Sequence, residues 1–268
     1  MLLLFYCLHN IFEIDTGGPT TLNGDLTTFL LAAAIIFVSC LILGITSFGS
    51  AMFAVPLLSL LFPLKTLVPL MIIYGGISEI ILLLPLYKDV QLKNMSYLVI
   101  AGLLGTPLGT YLLLVIDEGI LKIVIGIIII IFALATYTHH SFNIKNEKLG
   151  NIVAGFLSGL LNGSITMSGP PVILFYSNNH LEKQVFRANL AFYFVLLNVV
   201  TVPVLFLGGL MTPQVIHYTL VGSPALVLGA AAVLIGNKVG NRINNALFTR
   251  ITLILVVMMG LLSIYSGL

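Results

Sequence analysis

Two stretches rich in glycine, proline and small polar residues interrupt an otherwise apolar chain: ITSFGSAMFAVP in the first half and NGSITMSGPP in the second. A helix that restarts after such a break has free backbone amides at its start, and these favour an anion. Two breaks that face each other would form a neutral, donor-rich pocket for a small oxyanion. The alternative is close helix packing, which also selects small residues. The side chains that could face this pocket are Thr46, Ser47, Ser50, Asn162, Ser164, Thr166 and Ser168.

Glu79 is the only carboxylate inside a long apolar run, YGGISEIILLLPLY. An acidic side chain at membrane depth is costly and is a functional candidate by default, so Glu79 could carry a coupling proton. It could also reach water or pair with a base, because Lys88 follows only about two helical turns later. Asn198, in FVLLNVVTVP, has a comparable position in the second half and could hydrogen-bond a ligand or another helix.

Two basic residues are candidates for attracting or gating an anion. Arg187, in EKQVFRANLAFYF, can bind an oxyanion through two parallel hydrogen bonds, which lysine cannot copy. Alternatively, it anchors the end of a helix. Lys65 lies between two apolar segments, where it could guide an anion or extend its amine to the interface. The cysteines and histidines show no metal-ligand spacing, so we predict neither a metal site nor a cofactor.

The composition places these residues in a membrane. Of 268 residues, 59% are hydrophobic and 7% are charged, whereas a soluble domain has about 25% charged residues. This excludes a soluble enzyme domain, a nucleic-acid-binding protein and a receptor with a large ectodomain. Runs such as IVIGIIIIIFALA predict helices, and not the short alternating strands of an outer-membrane barrel. At about 20 residues per spanning helix, we predict an all-α, polytopic inner-membrane protein with eight to ten segments.

Ten apolar segments can be recognised, and the second, sixth and seventh are too short to cross comfortably. The short segments adjoin the two broken stretches, so the pattern fits ten spans or six spans with two re-entrant hairpins. We expect residues 1–25 to form an external tail or an interfacial segment. The segments fall at about 26–44, 50–63, 66–86, 95–115, 119–138, 150–162, 168–178, 188–208, 214–235 and 247–267.

Basic residues predict the orientation of these segments, because cytoplasmic loops are enriched in lysine and arginine. If the amino terminus is outside, nine of the 11 basic residues are cytoplasmic, and only Lys65 and Lys122 lie on the outer side. We therefore predict a multi-pass protein of the cell (inner or plasma) membrane with both termini outside.

The order of these features recurs in the two halves. Five segments in each half, starting on opposite sides, predict two inverted-topology repeats at 26–140 and 150–268, joined by a cytoplasmic linker at 141–149. Interrupted helices at corresponding positions are typical of secondary transporters, whose site lies where the breaks meet. The recurring glycines predict close helix packing. The matched residues are Gly44 with Gly159 and Pro56 with Pro171 (a shift of 115), Gly105 with Gly236 and Gly109 with Gly240 (131), and Tyr74 with Tyr193 and Glu79 with Asn198 (119).

From about residue 28 to the end, the sequence resembles the TauE/SafE sulfite exporter family, also called TSUP. The resemblance rests on GITSFGSAMFAVPLL, GFLSGLLNGSITMSGPPVILFY, FRANLAFYFVLLN and the paired GTPLG and GNKVG stretches. It implies a secondary transporter of sulfite, sulfoacetate or another small organosulfur or carboxylate anion. It also implies ligand-facing residues in the two broken stretches and near Arg187. Ser50 and Ala51 stand where many members continue with glycine, so a side chain narrows or re-lines the pocket here.

We therefore predict a secondary transporter that works by alternating access and could be coupled to protons, with export implied by the resemblance alone. A passive anion channel is the alternative. An intramembrane enzyme or assembly factor fits less well, because Glu79 is the only titratable residue available for chemistry within the membrane. The sequence has no catalytic triad and no nucleotide-binding loop, so we predict no enzyme. The expected partners are a small anionic solute and membrane lipid, without nucleic acid, and no oligomeric state is indicated.

Overall fold

The computed structural model describes residues 26–91, 95–137, 147–176 and 182–240, with a few positions between 257 and 268. All regular structure in these residues is helical, which confirms the all-α prediction. The ten α-helices are α1 (Leu26–Thr46), α2 (Ser50–Leu58), α3 (Leu64–Leu83), α4 (Ser96–Val115), α5 (Glu118–Tyr137), α6 (Glu147–Ile165), α7 (Gly169–Tyr176), α8 (Lys183–Leu207), α9 (Pro213–Val221) and α10 (Ser223–Gly240).

Five of these helices, α1, α3, α4, α8 and α10, are long and apolar enough to cross a membrane. Helix α4 shows how they are built. Its large apolar residues Leu104, Leu108 and Tyr111 recur on one face and are exposed, whereas Gly105 and Gly109 are buried on the other. An exposed apolar face is suited to lipid, while small residues let a neighbouring helix approach. The described part of the chain is therefore a polytopic membrane protein.

The structure corrects several predicted boundaries. The predicted single segment 214–235 is two helices, α9 and α10, separated at Gly222. A Cβ atom at Gly222 would lie 2.0 Å from Tyr74 Oη, so only glycine fits at this close approach. Helix α2 ends at Leu58, earlier than predicted. Helix α6 begins at Glu147, so residues 147–149 of the predicted linker are helical.

Parts of the predicted organisation lie outside the described residues. These are the tail at 1–25, the linker residues 141–146 and most of the last segment, 247–267.

Hydrogen bonds between helix ends define the two faces of the bundle. On one, the Glu118 face, Lys65 Nζ donates to the Leu114 carbonyl oxygen (3.2 Å), and the Leu64 amide donates to Glu118 Oε1 (3.1 Å). These bonds join the start of α3 to the end of α4 and to the start of α5. On the other, the Lys183 face, Lys183 Nζ donates to the Gly240 carbonyl oxygen (3.1 Å), which joins the start of α8 to the end of α10.

Helices α4 and α6 run parallel with their backbones in contact. A Cβ atom on Gly159 would lie 1.9 Å from the Gly102 carbonyl oxygen, and one on Gly155 would lie 2.3 Å from that of Leu98. Any side chain at these positions would push the helices apart. The glycine spacing of the sequence therefore produces close packing, as predicted.

Helices α1 and α10 make a second parallel contact of this kind, which also joins the first half of the chain to the second. A Cβ atom on Gly44 would lie 2.3 Å from the Val233 carbonyl oxygen. Gly159 lies 115 residues after Gly44, and Gly102 lies 131 residues before Val233. Gly159 and Gly102 form the closest contact between α6 and α4. Helices α1 and α6, which start the two predicted repeats, therefore each pack against a parallel helix through a glycine.

The breaks follow a different shift from these glycines. Helix α1 ends at Thr46 and α6 at Ile165, while α2 begins at Ser50 and α7 at Gly169, a shift of 119 in both cases. Helix α6 therefore extends about one turn further past Gly159 than α1 extends past Gly44. For this reason Pro56 and Pro171 occupy different places in their short helices.

Candidate functional site

The first break, between α1 and α2, is built from left-handed backbone. Ser47 (φ 66°) and Gly49 (φ 84°) both have positive φ. The Thr46 hydroxyl donates to the Ile42 carbonyl oxygen (2.8 Å) and accepts from the Phe48 amide (3.1 Å). Thr46 therefore stabilises the end of α1 and is not placed to contact a ligand.

The second break, between α6 and α7, shares one left-handed position with the first. Thr166 is left-handed (φ 59°), like Ser47, its counterpart 119 residues earlier. The Ser158 hydroxyl donates to the Ser168 carbonyl oxygen (2.6 Å), which holds the break against the middle of α6. The Ser164 hydroxyl donates to the Leu160 carbonyl oxygen within α6 (2.8 Å), so it is not one of the groups available for a ligand.

The two breaks meet at a small cavity of about 30 Å³. Its polar side chains are Ser50, Glu79, Thr166 and Ser168, all of them predicted from the sequence. Glycine and apolar side chains form the remaining walls. The cavity is lined by Leu43, Phe48, Gly49, Ser50, Ala51, Met52, Glu79, Thr166, Met167, Ser168, Gly169 and Phe194.

The start of α2 contributes backbone donors to this cavity. The Phe53 amide donates to the Gly49 carbonyl oxygen (3.1 Å), so the amides of Ser50, Ala51 and Met52 precede the first bond of the helix. No side chain caps this end. Free amides and the positive end of the helix dipole both favour an anion. The start of α7 has fewer donors, because residues 170 and 171 are proline.

Glu79 belongs to a buried polar network between α3, α6 and α8. Asn198 Nδ2 donates to Glu79 Oε2 (2.7 Å). Asn162 Nδ2 donates to both Asn198 Oδ1 (3.3 Å) and Thr201 Oγ1 (2.9 Å). Asn162 and Asn198, predicted as ligand contacts, instead connect helices and hold the carboxyl group of Glu79 at the cavity.

Arg187 is buried beside the first break and does not line the cavity. Its Nε donates to Ser47 Oγ (2.9 Å), while its Nη2 donates to the Gly44 carbonyl oxygen (2.7 Å) and to Asn237 Oδ1 (2.7 Å). The guanidinium therefore ties the end of α1 to α8 and α10. In this conformation both Arg187 and Ser47 hold the break together.

Lys65 lies away from the cavity, exposed at the start of α3. Its bond to the Leu114 carbonyl oxygen places it on the end of α4. Of the two predicted roles, this position supports an amine extended to the interface. No group of histidine, cysteine or acidic residues in the described ranges could hold a metal ion.

Several residues of the site were missed by the sequence analysis. Phe48, Met52 and Phe194 form apolar walls of the cavity, and Asn237 and Thr201 complete the polar contacts around it. Phe48 and Met52 lie inside the stretch ITSFGSAMFAVP, and Asn237 lies inside GNKVG. The small and polar members of these stretches indicate a break or a close contact, whereas their other members carry no such signal. An apolar wall has no signature that separates it from ordinary core.

Interrupted helices whose breaks meet inside a polytopic helical bundle are typical of secondary transporters. The sequence profile of the family described as sulfite exporter TauE/SafE matches residues 31–263. The chain therefore belongs to the sulfite exporter TauE/SafE family, as its broken stretches predicted. Membership makes it a membrane protein of an anion-transporting family. No curated protein and no solved structure matches the chain.

Proposed function

We propose that this protein is a secondary transporter that carries a small anion, sulfite, sulfoacetate or a similar organosulfonate or carboxylate, through the cavity between the breaks. The observation that supports this most directly is the meeting of two broken helices, one from each half, at one cavity. Neutral hydroxyls and the free amides of α2 line it. Such donors stabilise an anion without holding it as tightly as a fixed positive charge would.

Glu79 can couple anion movement to proton movement in this cavity. An ionised carboxylate would repel an anion in the same small cavity, especially away from water. A protonated Glu79 is neutral and can donate a hydrogen bond to the anion. Anion binding and proton binding therefore favour each other, which makes Glu79 the coupling residue. Alternating access follows if the two halves rock about this centre.

The charges at the helix ends support a cytoplasmic location for the Lys183 face. Helix starts and ends on this face carry Lys88, Lys148, Lys183 and Lys238, whereas Lys65 and Lys122 are at the Glu118 face. Because cytoplasmic loops are rich in lysine, the start of α1 would be external. We propose export on the basis of the family, since an inverted repeat has no intrinsic direction.

The test is flux of labelled sulfite, sulfoacetate and taurine in proteoliposomes, with and without a proton gradient. Saturable flux of sulfite or sulfoacetate that responds to the gradient is the expected result. Taurine, which carries an ammonium group, tests whether net negative charge is required. A folded, oriented protein that moves none of the three would overturn the sulfur-anion assignment, and conductance without saturation would identify a passive channel.

A further inference from the structure

Thr166 combines two features that packing does not explain. It is a β-branched residue with left-handed backbone (φ 59°), a conformation that such residues rarely adopt. Its side chain is buried at 8% exposure, and its hydroxyl has no hydrogen-bond partner among the described residues. A buried hydroxyl without a partner is unfavourable. Strained, unsatisfied groups of this kind are concentrated at functional sites.

The Thr166 hydroxyl lacks a partner because of the residues around it, as a comparison with the corresponding residue of the first half shows. Ser47 has the same backbone conformation 119 residues earlier, but its hydroxyl accepts a hydrogen bond of 2.9 Å from Arg187 Nε. The same shift of 119 matches Arg187 with Val68 in the first half, and a valine side chain has no hydrogen-bond donor. The Ser47 hydroxyl at the first break therefore has a hydrogen-bond partner within the protein. The Thr166 hydroxyl at the second break has none among the described residues, and Thr166 lines the cavity.

The free amides of α2 lie around the same cavity as Thr166. Ser50, Ala51 and Met52 line it, and no side chain caps their helix. These amides belong to the first break and Thr166 to the second. A single anion in the cavity can accept from both.

We propose that the cavity has one asymmetric oxyanion site, in which the Thr166 hydroxyl and the amides at the start of α2 bind different oxygens of the same ligand. This inference rests on the proposed function for the class of ligand but not for its transport. The ligand has at least two oxygens on one anionic centre, as a sulfite, sulfonate or carboxylate group does. By bridging the two breaks, it links the two halves of the protein.

The direct test is Thr166→Val, which removes the hydroxyl and keeps the branched shape. Binding is measured as the rise in Tm of the purified protein on addition of sulfite or sulfoacetate, because a ligand that binds the folded state stabilises it. We expect the Tm of the unliganded variant to equal or exceed that of the wild type, since no hydrogen bond is lost. The Kd for the anion should rise about tenfold or more, as expected for losing a hydrogen bond to a charged group.

Thr110→Val is the matched control. The Thr110 hydroxyl is also buried without a partner in the described residues, but Thr110 does not line the cavity. This variant should leave the Kd unchanged. Thr166→Ser keeps the hydroxyl and should bind the anion like the wild type. Thr166→Gly removes both the hydroxyl and the backbone strain, and it should bind the anion as weakly as Thr166→Val.

The outcomes separate this inference from the proposed function. If sulfite is transported with an unchanged KM in both Thr166→Val and Thr166→Gly, the inference is wrong and the transport function stands. If sulfite raises the Tm of the wild type but not of Thr166→Val, while no flux is measured, the site is supported and the transport proposal fails. If neither anion changes the Tm of the wild type, the oxyanion site is overturned.

Discussion

Asn198 Nδ2 donates a hydrogen bond of 2.7 Å to Glu79 Oε2, and both side chains are buried. The two residues are 119 positions apart, the same shift that separates the two breaks. Asn198 Oδ1 also accepts from Asn162 Nδ2, so both ends of the Asn198 amide are bonded. Asn198 is therefore a positioning residue for Glu79, and the pair joins α3 to α8.

Glu79→Gln should remove the response of transport to a proton gradient. Glutamine resembles the protonated acid but cannot release a proton, so anion exchange persists while gradient-driven flux falls to the rate measured without a gradient. Flux of labelled sulfite in proteoliposomes, with and without the gradient, measures this. The control is Glu118→Gln, a carboxylate outside the cavity that pairs with Lys122 (3.2 Å), and it should keep the response. An undiminished response in Glu79→Gln would remove Glu79 from the mechanism.

Asn198→Leu should lower stability and weaken coupling together. Leucine has a similar size but no donor, so Glu79 Oε2 loses its hydrogen bond in a buried site, at a cost of about 1–3 kcal/mol. The free energy of unfolding is measured by far-ultraviolet circular dichroism, because the chain has no tryptophan for fluorescence. Asn198→Gln, which keeps the amide, is the partial rescue. Wild-type stability and coupling in Asn198→Leu would show that the bond is unimportant.

Arg187→Lys should destabilise the protein with little change in the KM for the anion. A single ammonium group cannot donate to Ser47, Gly44 and Asn237 with the geometry of a guanidinium. Each lost charged hydrogen bond costs about 1.5–3 kcal/mol. Tm and KM are measured on the same preparation, with the exposed Lys65→Met as the variant expected to change neither. A raised KM at unchanged Tm would instead assign Arg187 to the anion.

Gly159→Ala should disrupt the parallel packing of α4 and α6. Its Cβ would lie 1.9 Å from the Gly102 carbonyl oxygen, so the helices must separate, at a cost of about 1–3 kcal/mol or more. Gly75→Ala is the matched control, because the nearest atom to its Cβ is Asn198 Nδ2 at 4.0 Å. Thermal unfolding compares the two variants. Equal Tm values would contradict the direct backbone contact.

Much of the fold could be read from local sequence. The membrane class follows from composition, because so few charged residues cannot cover a water-facing surface. The breaks follow from glycine, proline and small hydroxyl residues, and the breaks at Ser47 and Thr166 both lie inside the predicted stretches. The break at Gly222 was not predicted, although Pro224 follows it and has no amide to continue the helical hydrogen bonds; only the structure shows that Gly222 also lies against Tyr74, which is distant in sequence.

For the candidate site too, local sequence determined some features and the tertiary structure decided the others. Residue type and spacing alone determined that Ser50, Thr166 and Ser168 lie at breaks, and that an acid, Glu79, lies within an apolar run. Only the tertiary structure decided which of the predicted polar groups line the cavity and which bond to the protein itself. The physical reason is that a hydroxyl or guanidinium bonds whatever partner folding brings near it. Arg187 lies beside Ser47, 140 residues away in the chain, and no local pattern encodes that approach.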